Sequence, residues 1–306
     1  MRVLALALAV VAWTAAAAPP ERHSVTFLLG ADRDEAGFFA GAAQYYRTRA
    51  DRGEEVVASR TLADVREYLA RDGLRGDAPW GTIRLVAHGS EWYGLLVPVF
   101  SDRDGDATLT ELESASSSGE FPPLEGNAFD TQTRLVIESC GIARRPDFER
   151  AIATLFFGNG ETPGVEASRD YVAFRTGLDA AGREVSERAE LPYVAIVTRA
   201  DVADASTRSE LRETLEKRWL DETGQPPGAD LVMRDIPVEV RQPVSAASTP
   251  SARLDPPSAA LLAALRDRGL RRDQLRWTRE NAMNVGRAQI VTLAPIAEDW
   301  VRDAGR

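Results

Sequence analysis

The sequence predicts an α/β protein with a mostly parallel central sheet and helices on both faces, on three observations. The apolar runs at residues 82–87 and 135–137 lack the regular polar alternation of a half-exposed strand, which is how strands covered on both faces of a parallel sheet read. Strand-like and helix-like stretches alternate in β-α-β-α-β order up to residue 88, and that order implies parallel strands joined by right-handed crossovers. Both runs lead to a reactive side chain followed by glycine, His88-Gly89 and Cys140-Gly141. Those side chains stand at the carboxyl ends of strands, where open α/β sheets hold their ligands.

Taken in order, the chain opens with Met1-Arg2, an apolar stretch over residues 3–13 and Ala15-Ala16-Ala17. This is the pattern of a secretory signal peptide over residues 1–17, so the mature protein is expected to be secreted or periplasmic. The stretch falls short of the about 20 residues needed to span a bilayer, and no membrane span is expected after cleavage. Residues 24–30 read as the first strand, and residues 37–47, with Phe38, Phe39 and Ala42 on one side, as its helix. Residues 55–58 form a second strand, and Thr61-Leu62-Ala63-Asp64 opens a helix in capping-box style. The strand ending at His88 follows, then a strand from Leu95 to Phe100, a surface loop over residues 114–127, and the strand leading to Cys140. Pro146 at a first helical position starts a helix whose apolar face carries Phe148, Ile152, Leu155 and Phe156. Residues 171–174 and 193–197 are further strands, and Thr207 with Glu210 caps a charged helix running to Glu222. These elements make one main domain over residues 18–240. Residues 241–257 have linker composition. Residues 258–306 hold one helix and one apolar run, too little for an independent core, and are expected to dock on the main domain.

Composition excludes some functions. The net charge is −10, and removal of residues 1–17 takes away one arginine and no acid, which leaves a surface that argues against nucleic-acid binding. With a single cysteine no internal disulfide can form, although export would permit one. An unpaired thiol in an exported protein is a candidate reactive group. There is no Gly-rich phosphate loop, no metal-ligand cluster and no G-x-S-x-G elbow.

A thiol nucleophile needs a base, and of the two histidines only His88 lies far from a terminus of the mature chain. It precedes Cys140 by about 50 residues, enough for one crossover between parallel strands. Leu85-Val86-Ala87-His88-Gly89 and Leu135-Val136-Ile137-Glu138-Ser139-Cys140-Gly141 resemble the His-Gly and Cys motifs of the caspase-like cysteine peptidases, the group that includes metacaspases, legumain, separase and CHAT domains. Between them, Asp104-Gly105-Asp106-Ala107-Thr108-Leu109-Thr110-Glu111-Leu112 looks like the helix entry that CHAT domains carry there. The resemblance spans roughly residues 24–175, and since Ile142 follows Gly141 the subfamily stays open. It implies a caspase-like three-layer sandwich and an endopeptidase acting on protein or peptide substrates without a cofactor. In that chemistry His88 draws the proton from Cys140, and the thiolate forms an acyl-enzyme that water resolves. It further implies an oxyanion hole made by the backbone N–H groups of Gly89 and Cys140. A binding protein of the same fold without turnover, or a transpeptidase using the same acyl-enzyme, remains open beside it.

Two carboxylate patterns complete the reading. Side chains alternate along a strand, so Glu138 projects on the same side as Cys140 and is a candidate substrate-binding residue. The resemblance implies that this position lines the pocket for the residue before the cut, with arginine and then lysine as the favoured partners of a carboxylate. Alternatively Glu138 pairs with a nearby basic side chain such as Arg144 or Arg145. Asp102, Asp104, Asp106 and Glu113 copy acidic positions of an EF-hand loop, but Ala107 stands where its sharp turn wants glycine, and a plain acidic turn capping a helix is favoured over calcium.

Overall fold

The computed structural model describes residues 22–30, 32, 37–49, 55–103, 105–160, 163–199, 202–244 and 256–295. Residues 1–17, the expected signal peptide, lie outside the described residues, as do Asp104 and most of the expected linker. Among the described residues no helix is long and apolar enough to cross a membrane.

The molecule is α/β, with a five-stranded, all-parallel central sheet. Its strands are β1 (Val25–Leu29), β2 (Glu55–Ser59), β3 (Thr82–Ala87) and, after a short ribbon of β4 (Gly89–Ser90) and β5 (Gly94–Leu95), β6 (Arg134–Glu138) and β7 (Gly164–Ala167). The spatial order is β2-β1-β3-β6-β7, so the direction of winding reverses between β1 and β3, the kind of switch point at which such sheets open a crevice.

Strand alternation divides the core. Val25, Phe27, Leu29, Ile83, Leu85, Ala87, Leu135 and Ile137 pack against α2 (Leu62–Leu69), α4 (Leu109–Ser118) and α5 (Pro146–Phe157), while α3 (Asp72–Arg75) is one short turn after α2. Deleting a ring such as that of Phe27, which is wholly buried, costs about 3–5 kcal/mol. The opposite face, through Leu28 and Val86, meets α1 (Phe38–Thr48). The expected capping box is present: Asp64 N–H donates to Thr61 Oγ1 and Thr61 N–H to Asp64 Oδ2, each at 3.0 Å. Thr108 caps α4, accepting from Glu111 N–H at 3.2 Å.

The predicted strand from Leu95 to Phe100 is regular only at Leu95. Pro98 removes a ladder donor, and the segment instead crosses the start of α2, with Leu62 N–H donating to Pro98 O and Ala63 N–H to Val99 O. Residues 171–174 do form a strand, but it is longer and leaves the central sheet: β8 (Tyr171–Leu178) pairs only with β9 (Glu184–Leu191), as an antiparallel hairpin lying on α1. Phe174 packs on Phe38 and Tyr46, and Ser186 Oγ donates to Gly41 O at 2.7 Å.

The rest of the chain builds a second, antiparallel sheet from β10 (Val194–Thr198), β11 (Leu231–Pro243), β12 (Arg276–Glu280) and β13 (Met283–Pro295). β13 is its central strand, paired with β11 along its length, with β12 at one end and β10 at the other. Residues 258–295 of the C-terminal segment thus join the body by strand pairing, beyond side-chain docking. Helix α6 (Ala205–Thr223) covers one face through Leu215 and Trp219; its N-cap is Asp204 rather than Thr207. Helix α7 (Ala259–Asp267) covers the other through Leu261 and Leu265. It also ties the two sheets together: Thr110 N–H at the start of α4 donates to Asp267 Oδ1 at 2.7 Å, and Arg266 pairs with Glu113 at 2.6 Å.

Candidate functional site

The site is set by register. Val86 of β3 sits opposite Glu138 of β6, and His88 and Cys140 each lie two residues further on, at the tips of neighbouring parallel strands about 4.8 Å apart. By alternation both share the face of Val86 and Glu138, the face covered by α1 and the hairpin. His88 is half-buried against aromatic rings, with ring centres 4.4 Å from Phe38 and 5.1 Å from Phe39, and its carbonyl accepts from Leu96 N–H at 2.8 Å. Gly89 leaves no room for a side chain, since a Cβ there would stand 2.5 Å from both Gly94 O and Ser139 Oγ. Ser139 is fully buried and points to the opposite face from Cys140.

Cys140 as a residue keeps partial solvent contact, but its sulfur is desolvated under β8, with Val172 O as its acceptor at 4.0 Å. Burial pushes the thiol from its ordinary 9.0 up to about 11, with the Val172 backbone a smaller opposing influence, so in this conformation it is protonated at neutral pH. The residue that follows, Gly141, has φ of 66°, a left-handed conformation suited to glycine, and a Cβ there would collide with Tyr193 Oη. Tyr193 comes from the second sheet and donates to Glu91 Oε1 at 2.8 Å.

Glu138 lies on the face expected of it and is 4 % exposed, but its carboxylate is not open to a ligand. Tyr46 Oη donates to Oε1 at 2.8 Å, and Arg188 of β9 approaches Oε2 with Nε at 2.8 Å and Nη2 at 2.7 Å. Arg144 and Arg145 are engaged elsewhere, Arg144 with Glu222 and Asp170 and Arg145 with Asp147. Burial and the adjacent Glu138 together raise the Tyr46 hydroxyl well above its ordinary value. Burial alone would lower the Arg188 guanidinium, yet its bonds to Glu138 and Glu190 raise it. Beyond this network, on the same face, opens a cavity of about 680 Å3 walled by Tyr45, Arg49, Arg84, Glu138, Glu166 and Arg188.

Comparison with protein-family models, curated proteins and solved structures finds no match to this chain. The site therefore rests on its own geometry. Among the described residues no group of three or more His, Cys, Asp or Glu side chains is arranged to hold a metal ion, and Glu113 of the acidic turn is paired with Arg266. Sequence reasoning did not identify Tyr46, Glu91, Arg188 or Tyr193 as parts of the site. Only Tyr193 carried a local signal, as an aromatic residue opening an apolar run; the others reach the site through tertiary contacts alone.

Proposed function

We propose that this chain is an exported cysteine endopeptidase of the caspase-like type, with His88 as base and Cys140 as nucleophile. The observation that carries the reading is the parallel register of β3 and β6, which sets both side chains on one face at adjacent strand tips. In the reaction His88 takes the thiol proton and the Cys140 sulfur bonds to the scissile carbonyl carbon. The charge on the carbonyl oxygen is met by the N–H groups of Gly89 and Cys140. His88 then returns the proton to the leaving amine, and water, deprotonated by the same imidazole, releases the acid from the thioester. Cleavage after arginine, then lysine, rests on the Glu138 carboxylate as partner of the incoming cation, which must displace Arg188 from it.

The desolvated thiol favours a second reading, a binding protein of the same fold without turnover; transpeptidation shares the acyl-enzyme and differs only in the acceptor. Labelling decides between turnover chemistry and binding alone. A peptidyl-arginine acyloxymethyl ketone is expected to modify Cys140 of the wild type, with the modification lost in His88→Ala and Cys140→Ala. Absence of wild-type labelling, or labelling indifferent to His88→Ala, overturns the peptidase reading.

A further inference from the structure

We propose that Tyr193 is a positioning residue for the nucleophile loop: its hydroxyl, anchored on Glu91, holds the Cys140-Gly141 turn against the loop that carries His88. The inference rests on the peptidase reading for its chemistry and on independent geometry for its residues. Tyr193 Oη lies so close to Gly141 that only glycine fits there, one position after the nucleophile. The same oxygen donates at 2.8 Å to Glu91, which follows His88-Gly89-Ser90 directly. One hydroxyl therefore spans the tips of both strands. A second tie runs parallel to it, from Arg145 Nη1 to Glu91 O at 2.9 Å.

The phenol is held in place. Tyr171 stacks on its ring at 4.2 Å with planes 10° apart, and the Arg144 guanidinium lies 4.2 Å from the ring centre while Nη2 donates to Tyr193 O at 2.7 Å. Gly141 N–H donates to Asp170 O at 3.1 Å, which pins the turn to the residue just before Tyr171. Tyr193 is 1 % exposed, so the hydroxyl cannot exchange Glu91 for water without opening the stack. The Glu91 carboxylate is half-buried beside this phenol, and burial raises it above its ordinary range although Tyr193 and the nearby Arg144 oppose the shift. Such an arrangement beside a thiol and an imidazole is typical of groups that fix reacting atoms, where a displacement near 1 Å lowers rate by as much as about a hundredfold.

Tyr193→Phe removes the hydroxyl and keeps the ring, its stack and its cation contact. We expect kcat on a peptidyl-arginine substrate to fall about tenfold with KM nearly unchanged and the melting temperature lowered by a few degrees as Glu91 loses its donor. Glu91→Gln, which retains an acceptor, is expected to lose less. Amide hydrogen exchange at Gly141 should quicken in Tyr193→Phe, a readout that needs no turnover. Unchanged exchange together with unchanged kcat overturns the inference. Where the wild type neither turns over nor labels at Cys140, the peptidase reading falls, and exchange at Gly141 alone decides: faster in Tyr193→Phe upholds the positioning role, unchanged refutes it.

Discussion

Glu138 is enclosed with one phenol and one guanidinium, so removing either leaves a buried charge with half its partners. Arg188→Met is expected to destabilise the fold by about 3 kcal/mol in urea unfolding, because the carboxylate stays behind without its cation. Pairing it with Glu138→Gln should recover most of that loss; a double variant as unstable as the sum of the singles would show that the two residues do not act together. Cys140 gives a prediction in pH. Its folded value near 11 lies above the ordinary 9.0, so the stability gained by keeping the thiol protonated is complete below about 9 and lost as pH climbs through 11. Cys140→Ala should flatten that alkaline limb of the stability curve. Iodoacetamide should alkylate the resting wild type at neutral pH about a hundredfold more slowly than a free thiol, and alkylation at the free-thiol rate would contradict the burial. The placement of His88 and Cys140 at neighbouring strand ends was legible because a strand tip before glycine is a local pattern. The alternative that Glu138 pairs with a basic side chain was open to the sequence, but its partner Arg188 was not, because Arg188 lies 50 residues away on a strand without apolar alternation.

At the level of elements, what could be read were those whose cause is local: the Thr61 capping box, Pro146 at the start of α5, the buried parallel strands. Strand β9, Glu184–Leu191, was illegible because a hairpin arm half in solvent has no need of an apolar period. Strand β11 was hidden by Pro237 and Pro243, which an edge strand tolerates where its N–H side faces outward. Between β12 and β13 the two-residue turn Asn281-Ala282 has φ of 45° and 62°, a conformation that suits asparagine and strains alanine. Ala282→Gly should therefore stabilise the protein by about 1 kcal/mol, visible as a higher melting temperature. No gain would mean that the backbone there relaxes at no cost.

For the whole molecule, the parallel sheet carries His88 and Cys140, and the antiparallel sheet carries Tyr193 to them. The division into a main domain and a C-terminal segment followed composition. It gave no sign of β13, whose Asn284, Gly286 and Arg287 interrupt the apolar run that was visible over residues 289–294. β13 is both the last strand among the described residues and the middle strand of its sheet, and that sets a timetable. Among the described residues, strands β10 and β11 have no strand partner until residues 283–295 have left the ribosome, so the second sheet is completed last. Hydrogen exchange on ribosome-stalled chains ending before residue 283 should show β1, β3 and β6 protected and β10 and β11 unprotected, and protection of β10 and β11 in those chains would refute this order. Tyr193, which abuts Gly141, leads directly into β10, so a chain caught in synthesis short of residue 283 holds the Cys140-Gly141 turn against a strand that is still unpaired.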